Sequence, residues 1–266
     1  MNESFKYIVT EQSADLSVIW LNRPEKGNAF NLEMIRELTH KIKSLEEEPD
    51  IRFALLKAKG KHFCLGADLK WMGRAVTLTD RENQDECLTL ASLLETIYCS
   101  SKIMIAYIQG ACYGGGVGLA AACDFTFALP DVRFAFGEVK LGLVPATIAP
   151  VAVQRMGAVK AMQLMLAGVP FSADEAMKLG LIDHLLTRDK AEVGLNDFLK
   201  SLRMGNRNAQ QHIKELIRKI QPDIYSKNIK EFTARLLAES RVSEEGVEGI
   251  MAFLEKRTPN WRENDS

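Results

Sequence analysis

The sequence predicts an α/β fold that gives way to helices in its C-terminal part. Short β-rich runs alternate with helical patterns through the first half. From about Ala146 onward the pattern is almost wholly helical, and no repeat, low-complexity tract or Pro/Gly-rich linker divides the chain. This reading places an α/β core over residues 1–200 and a helical subdomain over residues 201–266.

The elements follow in order. Tyr7-Ile8-Val9 and Ser17 to Leu21 are two β-rich runs separated by polar residues, which suggests a hairpin. Asn31 is a candidate N-cap for a helix through roughly Leu45, with Met34, Ile35, Leu38, Ile42 and Leu45 at helical spacing. A buried strand is expected over Phe53 to Ala58, then a polar segment, KGKHFCLGADLKWM. Asp80 to Cys99 reads as a helix, and Ile103 to Ile108 as a strand ended by Gly110. The small-residue run GGGVGLAAAC offers a helix that can pack very closely. Strand-like FTFA and RFAF follow, the second leading into Gly137-Glu138. Ser172 with Glu175 forms a capping-box pattern. Lys214 to Ile220, Ile229 to Ser240 and Glu244 to Lys256 continue as helices.

Composition narrows the function classes. The apolar share of 47%, charged share of 26% and net charge of −1 are ordinary for a soluble globular protein. With no concentrated basic block, neither a nucleic-acid nor a membrane-surface partner is expected. No stretch approaches the roughly 20 apolar residues of a membrane span. The opening MNESFKYIVTEQ has neither the basic nor the apolar region of a secretory signal, so Asn2-Glu3-Ser4 carries no weight as a glycosylation sequon. A cytoplasmic location is the expectation. The five cysteines, Cys64, Cys87, Cys99, Cys112 and Cys123, form no C-x-x-C pair, and the four histidines show no ligand spacing, so no metal site is expected. His62 and Cys64 lack an identifiable orienting Asn or Asp for a thiol-protease reading.

Gly116-x-Gly118-x-x-Ala121, with Glu138 about 20 residues on, matches a relaxed dinucleotide fingerprint. Its context fails, because two strand-like runs intervene before Glu138 and the helix is short for a crossover.

Two glycine-containing turns and one acid remain. Cys64-Leu65-Gly66-Ala67-Asp68 follows a buried strand, and Gly114-Gly115-Gly116 opens a helix after another. Backbone N–H groups at a helix start lack intrahelical partners and sit at the positive end of its dipole. Two such turns converging on one oxygen make an oxyanion hole; otherwise the glycines serve only close helix packing. Glu138 lies in an apolar stretch that should raise its pKa and suit it to shuttling protons. The alternative is an exposed strand-end glutamate paired with Arg133 or Lys140.

In order along the chain, LNRPEKGNAFN, FCLGADLKWM, IQGACYGGGVGLAAACDFTFA, RFAFGEVKLGLVP and FSADEAMKLGLIDHLL resemble the crotonase (enoyl-CoA hydratase/isomerase) superfamily, as does the closing FLEKRTPNW. The resemblance implies a spiral of ββα units, assembly as homotrimers or dimers of trimers through the C-terminal helices, and an acyl-CoA thioester substrate. Coenzyme A then enters as part of the substrate, with no separate cofactor. By position, Ala67 and Gly115 supply the two amides and Glu138 the catalytic carboxylate. Gly66, Ala67, Asp68, Leu69, Lys70 and Gly114 fall to the CoA-binding segments. Lys26, Phe253 and Lys256 join them as CoA contacts.

One departure matters. Hydratases of the family usually carry two glutamates, and the first one's position is Gly118 here. GEVKLGLVPATIAP and YGGGVGL are similar to a bacterial subgroup of methylglutaconyl-CoA hydratases that tolerates the loss. This implies hydration of a branched, carboxylated enoyl-CoA, with Lys70, Arg74 or Lys140 as candidates to meet the distal carboxylate. The alternatives are an isomerase moving a 3,4 double bond to 2,3, a decarboxylase, and a non-catalytic acyl-CoA binder. Tyr113 and the acids of the Asp80 to Cys99 helix are candidates to replace the missing carboxylate.

Overall fold

The computed structural model describes residues 5–262, so the Asn2 sequon lies outside the described residues. The elements are β1 (Ile8–Ser13), β2 (Leu16–Leu21), α1 (Leu32–Glu46), β3 (Phe53–Ala58), α2 (Leu69–Gly73), α3 (Asp80–Cys99), β4 (Ile103–Ile108) and β5 (Ala111–Tyr113). Then come α4 (Gly115–Ala122), β6 (Phe125–Ala128), β7 (Arg133–Ala135), α5 (Ala149–Met156), α6 (Ala158–Ala167), β8 (Phe171–Ser172) and α7 (Ala173–Lys178). The last are β9 (His184–Leu185), α8 (Ala191–Arg203), α9 (Arg207–Ile220), α10 (Lys227–Val242) and α11 (Glu244–Glu255).

A larger sheet runs in the order β1-β2-β3-β4-β6-β9, antiparallel at the β1/β2 hairpin and parallel elsewhere. A smaller one joins β5, β7 and β8. Each turn of the chain lays one strand in the larger sheet, steps to a second layer, and returns through a helix. After β3 the second-layer step is Cys64, which bridges Cys112 of β5; after β4 it is β5; after β6 it is β7. The result is a spiral of ββα turns, built because parallel neighbours require crossover connections. The almost wholly helical stretch expected beyond about Ala146 is interrupted only by the short β8 and β9 among the described residues. Each has only two residues, too few to produce a periodic signal.

Local chemistry sets the helix boundaries. The Asn31 side chain accepts the Met34 N–H at 2.9 Å, and Ser172 forms its capping box with Glu175. The apolar stripe of α1 is buried at Met34, Ile35, Leu38, Ile42 and Leu45. On the other face of the larger sheet, Leu195 and Leu199 of α8 cover Phe53, Leu55, Ile103 and Ile105. Every residue of α4 is buried. Only glycine fits at Gly116, where a Cβ would lie 2.7 Å from the Cys64 carbonyl oxygen.

The helix α9 inverts the usual amphipathic arrangement. Its inward side is polar: Lys214 donates to the Lys102 carbonyl at 2.6 Å and pairs with Asp124, while Arg218 donates to the Cys99 and Ser100 carbonyls. Its outward side exposes Ile213, Leu216, Ile217 and Ile220. Among the described residues no helix is long and apolar enough to cross a membrane.

Candidate active site

The two glycine turns are stitched together. Tyr113 donates its N–H to the Cys64 carbonyl at 2.9 Å, which brings the end of β5 against the turn after β3. Gly66 adopts φ +95°, and a Cβ there would meet the Tyr113 carbonyl oxygen at 3.2 Å and Gly114 Cα at 3.8 Å. Gly114 has φ 49° and ψ −118°, a conformation that an L side chain rarely adopts.

This close approach brings both turns to the wall of one space. Phe30 donates to the Gly66 carbonyl at 2.8 Å and accepts from the Asp68 N–H at 2.7 Å. Those bonds flank Ala67, so its own N–H faces away from Phe30. The N-terminus of α4 has no side-chain cap, so the Gly115 N–H is one of the orphan donors of a helix start. Gly66, Ala67, Gly114 and Gly115 line one cavity of about 550 Å³. Its wall is otherwise mainly apolar, with Phe30, Met72, Leu90, Leu143, Ile148 and Leu237 among its members.

Glu138 opens a single 3-10 turn, Glu138–Leu141, directly after β7, and lines the same cavity. A Cβ on Gly114 would lie 2.7 Å from Glu138 Oε1, so the bare glycine is what admits the carboxylate. Glu138 Oε2 is buried and has no hydrogen-bond partner. Burial pushes the carboxyl pKa up to about 7, and its own backbone N–H offsets this only in part. With Oε2 buried and unpartnered, the exposed strand-end reading does not describe Glu138. It is the only acidic side chain lining the cavity among the described residues. The arrangement can hold a developing oxyanion while one carboxyl group takes and returns a proton.

The other sequence-selected residues divide. Leu69 and Phe253 line the cavity, Phe253 reaching it from α11 of the same chain. Asp68 caps α2, accepting the Lys70 N–H at 3.0 Å, and pairs with Arg23 at 3.0 Å; both bonds are structural. Lys70 lies outside the cavity lining. Lys26 is exposed in a turn whose Gly27 packs on the cavity residue Leu65. Lys256 is exposed at the end of α11, with φ 57°. Of the three candidates for a distal carboxylate, Lys140 lines the cavity, whereas Arg74 pairs with Glu86 at 2.7 Å.

The acids of α3 do not stand in for the missing glutamate. Glu86, the buried one, accepts from Trp71 Nε1 at 2.8 Å and pairs with Arg74 and Arg241, outside the cavity lining. Tyr113 does line the cavity. Sequence reasoning passed over Ile148 and Thr147, which also line it; an Ile beside a Thr before a helix carries no pattern that marks a site. Ile148 fills the space at the missing carboxylate, since a Cβ on Gly118 would lie 2.6 Å from Ile148 Cγ2.

The two decoys fall on geometry. Cys64 is buried and its thiol is pushed up to about 12, far from a thiolate nucleophile. The fingerprint glycines Gly116 and Gly118 pack inward against Cys64 and Ile148, leaving no room over them for a dinucleotide.

A spiral of ββα turns with two glycine turns and a carboxyl whose Oε2 is buried around one cavity defines an acyl-thioester enzyme of the crotonase type. A family model for enoyl-CoA hydratase/isomerase matches residues 11–264, and the chain belongs to that family. Enoyl-CoA hydratase ACTT6 of Alternaria alternata is 33% identical over 214 residues, covering 80% of this chain and 70% of that one. The crystal structure of an enoyl-CoA hydratase from Shewanella pealeana superposes with a TM-score of 0.79 at 32% identity, covering 97% of this chain and 96% of its own. An enoyl-CoA hydratase/isomerase from Marinobacter aquaeolei does so at 0.76 and 33%, covering 96% and 98%.

Proposed function

We propose that this enzyme adds water across the 2,3 double bond of an acyl-CoA thioester, with 3-methylglutaconyl-CoA as the substrate. The Ala67 and Gly115 amides polarise the thioester carbonyl. Glu138, as carboxylate, takes a proton from water while the water oxygen bonds to C3. The electron pair of the double bond moves onto the thioester oxygen as an enolate. Glu138 then gives its proton to C2, so one carboxyl group serves both transfers on one face. The balance closes with no separate cofactor.

The observation that carries this reading is the single buried carboxyl, pushed up to about 7, against the two-amide turn. Lys140 at the cavity wall supports a substrate with a distal carboxylate. The isomerase reading is favoured by one fact, the apolar Ile148 where a second carboxylate would stand, because moving a proton along the chain needs only one base.

A substrate panel separates them, read by conjugated thioester absorbance. Absorbance should fall with 3-methylglutaconyl-CoA, with at least ten-fold higher kcat/KM than with crotonyl-CoA. A rise with a 3-enoyl-CoA, without loss on either 2-enoyl substrate, makes the enzyme an isomerase instead. Release of carbon dioxide from the carboxylated substrate identifies a decarboxylase.

We further infer assembly as trimers or dimers of trimers. The outward apolar side of α9 supports this, since such a face is costly in water. Light scattering should give three or six chains, and the I213E/I217E double variant should lower the mass. A monomeric wild type overturns the assignment.

A further inference from the structure

The single-carboxylate site leaves a gap in the proposed hydration: water held by Glu138 alone is free to swing away from C3. Beyond Glu138, the cavity's polar side chains among the described residues are Tyr113, Thr147, Lys140 and Arg257. Arg257 is taken by Glu248 at 2.6 Å and by Glu255 at 2.7 Å. Lys140 is a cation, which would lower the basicity of a neighbouring carboxylate rather than orient its water. That leaves two hydroxyls.

Thr147 is the buried one, with 2% of its surface exposed. The N-cap of α5 is Ile148, so Thr147 stands one residue too early to cap the helix, and it takes part in no side-chain hydrogen bond among the described residues. A hydroxyl that lines a cavity without a protein partner is satisfied by what occupies the cavity. Its position is fixed by its neighbour. Ile148 packs against Gly118, on the side where a second carboxylate would stand.

We propose that Thr147 holds the reacting water together with Glu138, doing with a hydroxyl what a second carboxylate does elsewhere. Resting on the hydratase reading above, the geometry assigns one water O–H to the Glu138 carboxylate and the other to Thr147 Oγ1, which accepts it. The oxygen lone pair is thereby left directed at C3. No bond to Thr147 forms or breaks, and Thr147 carries no charge.

The test pairs a reaction that needs the water with one that does not. Hydration needs it; exchange of the α-proton of a saturated acyl-CoA in deuterated buffer needs only Glu138 and the two amides. Thr147→Val, which keeps the shape and removes the hydroxyl, should lower kcat for hydration about 10–100-fold while leaving α-proton exchange within about three-fold. Thr147→Ser should restore hydration to within about three-fold of wild type. If hydration and exchange fall together in Thr147→Val, the residue is merely structural and the proposal fails. It fails too if Thr147→Val hydrates like wild type. A wild-type enzyme that exchanges α-protons but hydrates nothing in the panel overturns the hydratase reading itself, and this proposal with it.

Discussion

Replacing Glu138 by Gln should lower turnover about 10²–10⁴-fold and leave acyl-CoA affinity within a few fold. The amide keeps the size of the side chain beside Gly114, so the fold is preserved, but it neither accepts nor returns a proton. The pH dependence provides an independent check. The base form is the carboxylate, and burial holds its pKa near 7 rather than 4.5. Wild-type kcat/KM should therefore rise with pH through about 7 and level off above it. A profile that levels off near the ordinary carboxylate value removes burial as the cause.

Stability carries the opposite sign. A carboxyl whose folded pKa exceeds its unfolded one binds its proton more tightly when folded. Its contribution is present below about 4.5 and is lost as pH rises to about 7. Each pKa unit corresponds to about 1.4 kcal/mol, so Glu138→Gln should be more stable than wild type at alkaline pH by up to roughly 3 kcal/mol. At acid pH the two should melt alike. Thermal melts at both ends of the range measure this, and a constant offset between the two proteins refutes it. Activity lost together with stability gained is the pattern of a site that holds a costly group for its chemistry.

Much of the fold was legible locally, and what was not depends on long-range packing. The Asn31 cap, the α1 stripe and the Ser172–Glu175 box are decided within one or two helical turns, so spacing reveals them. The Gly66 and Gly114 turns could be suspected separately; their closure depends on the Tyr113–Cys64 bond across the spiral. Asp68 read as a ligand contact because it sits in a motif, but its two oxygens go to the α2 cap and to Arg23, a partner 45 residues away. The helix α9 shows the limit of amphipathic reasoning. A stripe of Ile and Leu normally faces inward, and here Lys214 and Arg218 do so, because the segments they meet, before β4 and β6 and at the end of α3, present Asp124 and bare carbonyls. Thr147 and Ile148 had no local signal, since their meaning comes from Gly118 on another turn.

Restoring the missing carboxylate alone should damage the enzyme. Gly118 lies on fully buried α4, and a Cβ there would meet Ile148 Cγ2 at 2.6 Å, Ile148 Cβ at 3.0 Å and Leu94 Cδ1 at 3.5 Å. Overpacking of this kind costs about 1–3 kcal/mol, and an unpaired buried carboxylate adds several more. Gly118→Glu is therefore expected to fall by about 3 kcal/mol or more in stability and to hydrate more slowly than wild type. Because the obstacle is the Ile148 side chain, Gly118→Glu with Ile148→Gly should recover much of that loss, a non-additive result that a thermodynamic cycle reads directly. The same double variant should hydrate crotonyl-CoA faster than the Gly118→Glu single variant, since the second carboxylate then reaches the cavity. If the single variant melts like wild type, Ile148 is not the obstacle. If the double variant is stable yet no faster, the loss of the second glutamate is not what limits hydration here, and the assignment of its role to Thr147 gains the more weight.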